Sequence, residues 1–339
     1  MNQELKEIVF RLCRAEGTPG DETGARRAAE KEFAPYAETG TDVLGNLTAE
    51  MGNSDAETHI LVDAHLDQIG LIVTGIEKNG FLRVDRCGGM DRRVMPGTAM
   101  AVYGKQKLTG VVCCTPPQFP DVREEKVPAI SKMTVDVGCP CQTVKELVQP
   151  GDRAVFCAEP KELLGGRISA PALDDRSSVA ALVRCAQLLS EKNLKCHVTF
   201  LCSTREEVGG QGAVTGAYLA SPTQAIVVDV GFATQPGVRP QESGKLGGGP
   251  MIGFAPILNR SMSEKFVALA EKAGMPYHRD IMGGDTGTNS DAVAVTKGGV
   301  KTALLSIPER NMHTPAEVVD LQDIENTAQL IAKYIAEAE

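Results

Sequence analysis

The strongest constraint on this chain is a recurring unit. An apolar run of strand length stops at a histidine or a carboxylate, and a helical pattern follows. Residues 59–63 run into Ala64-His65-Leu66-Asp67. Residues 196–202 run into Ser203-Thr204-Arg205-Glu206-Glu207. Residues 225–228 run into Asp229, and 303–307 into Pro308-Glu309-Arg310-Asn311-Met312-His313. Continuous Val/Ile/Leu-rich runs read as strands buried on both faces, as in parallel sheets. Their alternation with helices places the chain in the α/β class, with a central mixed, largely parallel sheet flanked by helices.

The helical patterns fall where that reading needs them. Leu5, Ile8, Val9 and Leu12 recur at helical spacing within residues 3–14. Further helices are predicted at 22–37, 178–189, 212–220, 263–273 and 321–336. Between 70 and 163 the texture changes. Short apolar stretches at 70–76, 81–84, 99–103, 108–114 and 153–157 are separated by turns, with Asn79-Gly80 as a hairpin signal. Only 143–148 reads as helix there. The 339 residues suggest about two domains. The predicted organisation is a discontinuous α/β domain, 1–69 plus 164–339, split by a small inserted β domain at 70–163.

Composition excludes several functions. The 35 Lys and Arg against 44 Asp and Glu give a net charge of −9. That argues against an extended nucleic-acid surface, which needs clustered cations. Aromatic residues are 4% and Trp is absent, so surfaces for stacking bases or sugars are poorly supplied. No stretch approaches the ~18 apolar residues of a membrane span, and Met-Asn-Gln-Glu-Leu-Lys-Glu lacks the apolar core of a secretory signal. No membrane partner is expected. The ten cysteines are irregularly spaced and form no Cys-x-x-Cys pair, which speaks against a structural zinc knuckle. They read as free thiols in a reducing, cytoplasmic setting.

In open α/β sheets, ligands bind beyond the carboxyl ends of the strands. Two histidines and several carboxylates therefore arrive at one rim, joined by Ala172-Leu173-Asp174-Asp175-Arg176. Mixed imidazole and carboxylate donors suit zinc, and also cobalt or manganese. A pair of divalent ions needs a bridging carboxylate plus about two further ligands each. His65, Asp174, Glu207, Asp229 and His313 supply five, with Asp174 as the natural bridge. Glu206 is left over as a general base, and Asp67 is placed to orient His65. Each piece alone has a plainer reading. A strand-end histidine or Asp229 can be a local hydrogen-bonding residue, Glu206-Glu207 a solvated face, and Asp174-Asp175-Arg176 a helix cap with an ion pair.

Taken in order, these segments resemble the tetrahedral, dinuclear metalloaminopeptidases, which include glutamyl and deblocking aminopeptidases. Met312-His313-Thr314-Pro315, Lys245-Leu246-Gly247 with Gly249-Pro250, Thr286-Gly287-Thr288-Asn289 through Asp291-Ala292, and Val94-Met95-Pro96-Gly97 extend the likeness over nearly the whole chain. The resemblance implies two divalent ions per subunit, zinc or cobalt first. His65 and Asp229 would hold one, Glu207 and His313 the other, and Asp174 would bridge. It implies cleavage of the N-terminal bond of short peptides, with Glu206 taking a proton from water and passing it to the leaving amine. It also implies that the insert is a β-barrel-like oligomerisation domain, in a homo-oligomer that is a dodecamer or is built from dimers. The sequence departs from the family pattern at Gln68, at Ser177-Ser178 and in 231–237, none of them a proposed ligand. Two other readings stand beside this one: a non-catalytic metal-binding assembly protein, and a glycoside hydrolase using paired carboxylates. Loops 231–258 and 281–291 are expected to shape the substrate pocket, with Arg239, Lys245 and Arg260 as its candidate charges.

Overall fold

The computed structural model describes residues 3–116 and 127–338. The chain opens with α1 (Gln3–Arg14) and α2 (Thr23–Phe33). One apolar stripe of α1, with Leu5, Ile8, Val9 and Leu12, is buried. Glu4 in its first turn and Arg11 and Arg14 in its last complement the helix dipole. The second helix is shorter than the predicted 22–37. Ala34, the C-cap, still donates to the Glu30 carbonyl, but Pro35 has no N–H to continue the ladder.

Strands β1 (Glu38–Thr41), β2 (Leu47–Gly52) and β3 (His59–His65) follow. The next segment holds β4 (Gly70–Ile76), β5 (Leu82–Cys87), β6 (Ala99–Tyr103), β7 (Lys107–Cys113), β8 (Thr134–Asp136), α3 (Cys141–Leu147) and β9 (Arg153–Phe156). β4 to β9 close into a six-stranded barrel in the order β4-β5-β8-β7-β6-β9. Closure leaves no unpaired edge. Its interior is a separate apolar core that includes Leu71, Val84, Met95, Met100, Val102 and Val135.

The remaining elements are β10 (Lys161–Glu162), β11 (Arg167–Ala170), α4 (Leu173–Leu189), β12 (His197–Ser203), α5 (Gln211–Ala220), β13 (Gln224–Phe232), β14 (Met251–Phe254), α6 (Arg260–Lys272), β15 (His278–Ile281), α7 (Ser290–Val293), β16 (Lys301–Glu309), β17 (Glu317–Asp320) and α8 (Leu321–Ala336). α6 starts three residues before the predicted 263 because the Asn259 side chain caps it, accepting from the Met262 N–H at 3.2 Å.

The central sheet has eight strands in the order β1-β2-β12-β3-β13-β16-β14-β15. β12, β3, β13 and β16 run parallel. β1, β2 and β14 add antiparallel pairings around them, so the sheet is mixed, as the sequence implied. β10, β11 and β17 form a small antiparallel sheet.

Side-chain alternation sorts the two faces. Ile60, Val62 and Ala64 of β3 join the main core with α1, α4, α6 and α8. Leu61 packs on the other face with Leu201, Val227, Leu304 and residues of α5 and α7. Asp63 and His65 share that second face by period, and so do Asp229 and Ser306, two residues beyond Val227 and Leu304. All ten cysteines are free. Cys13, Cys185, Cys196 and Cys202 are buried, whereas Cys157 is exposed. Among the described residues, no helix is long and apolar enough to cross a membrane.

Candidate metal centre

The carboxyl ends of β3, β12, β13 and β16 converge with the start of α4 at one rim of the sheet. Asp174 and Asp175 lie in the first turn of α4 but do not have helical backbone angles. Their carboxylates are therefore not fixed to the helix surface. Asp174 is the hub. Its Oδ1 lies 3.0 Å from His65 Nε2, and its Oδ2 lies 3.1 Å from His313 Nε2. His313 Nε2 is also 3.2 Å from Glu207 Oε1, and His65 Nε2 is 4.0 Å from Asp229 Oδ1. Two histidines 248 positions apart in the sequence thus face the two oxygens of one carboxylate. Glu206 joins them: its carboxylate, His65 and Glu207 have donor atoms within 4.8 Å of one another.

Asp67 sits differently from the simple orienting role. The shortest contact of His65 Nδ1 is to the Asp67 main-chain oxygen, at 3.0 Å, while the carboxylate Oδ1 is 3.5 Å away. The buried carboxylate accepts the backbone N–H of Glu206 at 3.0 Å and of Glu207 at 3.1 Å. It therefore ties the turn after β12 to the end of β3.

Two positioning groups carry no sequence signal. Glu317, buried at the start of β17, accepts the N–H of Asp174 at 3.2 Å and of His313 at 3.0 Å. The barrel also reaches the cluster: a Cβ on Gly89 would lie 3.1 Å from His313 Nδ1, and one on Gly88 would lie 3.2 Å from Glu207 Cβ. Asp175 accepts the His65 N–H at 3.1 Å. Arg176 does not pair with its acidic neighbours. Its guanidinium reaches the carbonyls of Leu12 and Ala15 at 2.8 and 3.3 Å. Asn289 donates to Asp63 Oδ2 and Ser203 Oγ, each at 2.9 Å, which places the Thr286–Asn289 motif beneath the rim.

The electrostatics are those of an anionic cluster short of cations. Burial alone would lower the His65 imidazole, yet Asp174 and Asp67 outweigh it and hold it well above its usual value. The same balance, with Asp174 and Glu207 as partners, lifts His313 to about 11. Burial raises the carboxyls of Asp229, Glu207 and Asp175. It also pushes Glu206 up to about 7, where Glu207 and Asp174 add to the rise and His65 opposes it. Two imidazoles among this many buried carboxylates cannot balance the charge, whereas divalent cations on oxygen and imidazole nitrogen can. The donor set fits such ions. Asp174, Glu207 and His313 form one group of donors within 4.8 Å; His65, Asp175 and Asp229 form another.

A cavity of about 640 Å³ opens on the cluster. His65, Asp174, Glu206, Glu207, Asp229 and His313 form one end of it. Strand β13, the loop after it and residues 280–288 supply much of the rest. The expected pocket charges are elsewhere. Arg260 is 86% exposed at its side chain beside Glu264, Arg239 pairs with Glu242 on the surface, and neither they nor Lys245 line the cavity.

Comparisons with known proteins agree with this architecture. Residues 45–330 match the family model described as M42 glutamyl aminopeptidase. A lysyl aminopeptidase of Pyrococcus furiosus is 31% identical, over 98% of this chain and 96% of that protein. An aminopeptidase structure from the archaeon Desulfurococcus kamchatkensis superposes with a TM-score of 0.92 at 32% identity, covering 99% of this chain and 95% of the other. The TET1 peptidase of Pyrococcus horikoshii, described as assembling into a tetrahedron or a large octahedral shell, gives 0.88 at 31% identity. It covers 99% of this chain and all of its own.

Proposed function

This chain belongs to the M42 glutamyl aminopeptidase family and is a hydrolase acting on peptide bonds, and from that premise we propose a two-metal aminopeptidase of short peptides. The observation that carries the reading is Asp174, with a histidine at each of its two oxygens. His65 and Asp229 would hold one divalent cation, Glu207 and His313 the other, with Asp174 between them. Zinc or cobalt suits these donors best, and manganese is accepted by them. When bound, such ions supply Lewis acidity and acidify water.

The residues of the chain supply the rest. Glu206 lies beside the cluster but is not needed as a ligand. Burial lifts its carboxyl to about 7, close to the working range of a general base. It takes the proton from the attacking water and delivers it to the leaving amine. Asp67 holds the Glu206-Glu207 turn through two backbone N–H groups, and Glu317 holds Asp174 and His313 in the same way. Carboxylates lining the cavity would attract a free α-amino group, which favours exopeptidase action on short chains.

By analogy with the assemblies of the relatives, the inserted segment 70–163 is proposed to serve self-association, in a dodecamer or a dimer-based assembly. A cytoplasmic location accompanies this reading. The test is a panel of aminoacyl-p-nitroanilides assayed on chelator-treated protein before and after zinc or cobalt is restored. Turnover that appears only with metal supports the reading. Turnover indifferent to chelation refutes it, and glycoside hydrolysis under the same conditions would favour paired carboxylates instead.

A further inference from the structure

The names of the relatives do not agree on which N-terminal residue is removed, one being lysyl and the family description glutamyl. The cavity itself is more decisive. Its row of strand partners runs from Asp229 through Ser306 and Met251 to His278. One step along the same face, the row is Val227, Leu304, Gly253 and Asp280. Gly253 pairs with Asp280, and a Cβ on Gly253 would lie 3.1 Å from Leu304 Cβ. Paired residues point to the same face, so Asp280 of β15 faces the side on which Asp229 stands. Three strand spacings separate the two strands, about 14 Å. Gly253 adds no side chain between them, and Leu258 packs over it, its Cδ1 2.9 Å from where a Cβ would stand.

Asp280 is half-buried and lines the cavity. Its carboxylate makes no hydrogen bond or ion pair with any described residue, and desolvation raises its pKa with no neighbouring cation to oppose it. The other lining acid outside the cluster, Glu242, is already held by Arg239 at 2.8 Å. Among the described residues, no Lys or Arg lines the cavity. Its walls carry the apolar Phe232, Met251, Ile281, Met282, Leu304 and Met312 beside Thr286, Thr288 and Ser306. Phe232 and Ile281 remain 50% and 65% exposed. Apolar walls together with one unpaired carboxylate match a side chain with an apolar stem and a cationic tip.

We propose that this cavity selects peptides whose N-terminal residue is lysyl or arginyl, with Asp280 as the counter-charge that fixes the specificity. The inference rests on the peptidase reading above. An acidic side chain would meet like charge at Asp280. A neutral aliphatic one would cover the carboxylate without giving it a partner, which is unfavourable.

The experiment compares lysyl-, arginyl-, norleucyl- and glutamyl-p-nitroanilides on the metal-loaded protein. Norleucine has the lysine stem without the charge. The expected result is a lysyl over norleucyl ratio in kcat/KM of at least tenfold. Asp280→Asn should cut that ratio at least tenfold, chiefly through KM, and Asp280→Glu should keep most of it. A disturbance of folding would lower both substrates together and leave the ratio in place. A preference for norleucyl or glutamyl substrate, or an unchanged ratio in Asp280→Asn, overturns the inference while the peptidase reading stands. No turnover of any member with metal restored overturns both.

Discussion

Replacing Asp67 by asparagine probes how the base and one ligand are held. The carboxylate accepts two backbone N–H groups, Glu206 at 3.0 Å and Glu207 at 3.1 Å, in a fully buried position. An amide of the same shape keeps one acceptor and turns a donor toward the other N–H. One hydrogen bond to a charged acceptor is lost, about 2 kcal/mol, equivalent to ~30-fold in a rate or a binding constant. The main-chain oxygen that contacts His65 is untouched by the change. The loss should therefore fall on the Glu206-Glu207 turn. We expect kcat to drop about 30-fold and metal affinity to weaken by roughly 10- to 100-fold, with the Glu207–His313 side affected more. Steady-state kinetics and calorimetric zinc titration of both proteins provide the assay. If Asp67→Asn stays within twofold of the wild type in both measurements, this carboxylate does not hold the turn.

Other outcomes follow from the same geometry. Glu206→Gln should retain its metal by elemental analysis and lose roughly 10²- to 10⁴-fold in turnover, whereas Asp174→Asn should lose metal as well. Gly89→Ala places a Cβ against the His313 ring, at 3.1 Å from Nδ1. It should lower kcat several-fold with little change in thermal midpoint, and equal losses in both would contradict the contact. His59 stacks on His197 at 4.1 Å between centroids, and burial followed by the His197 charge lowers its pKa to about 4. Between pH 6.5 and 4 the unfolded chain therefore takes a proton that folded His59 refuses, so this stability is complete above pH 6.5 and falls with acid. Discounted for half-exposure, the contribution is about 1 to 2 kcal/mol. Urea unfolding at pH 7 and 4.5 should show His59→Gln gaining that much on the wild type at the lower pH.

The sequence made legible those parts of the fold in which burial dictates residue type. β3, β12, β13 and β16 are buried parallel strands, so their apolar runs mark them, and the polar residues that break those runs are the cluster. Their long-range meeting follows from parallel register: Ser203 pairs with His65 and Val227 with Asp63. β1 and β15 are not legible because they are the two edges of the sheet and carry residues such as Glu38, Thr39, His278 and Arg279, and β14 because its mostly buried run is only four residues long. Asp280 is hidden for the same reason as the rest of β15, whereas Arg239, Lys245 and Arg260 stand out by charge alone. Glu317 was missed because it acts through backbone N–H groups, which leave no mark on residue type or spacing. The Asp67 carboxylate accepts from the Glu206 and Glu207 N–H groups at 3.0 and 3.1 Å and lies 3.5 Å from His65 Nδ1. Backbone acceptors cannot be read from side-chain identity.

The central claim is that five side chains share two cations around one aspartate. Anomalous diffraction at the zinc edge, from crystals of protein reconstituted with zinc, tests it directly. The account predicts two peaks per chain, one beside His65 and Asp229 and one beside Glu207 and His313, both in contact with Asp174. A single peak, or a pair that leaves Asp174 without a ligand bond, would contradict it.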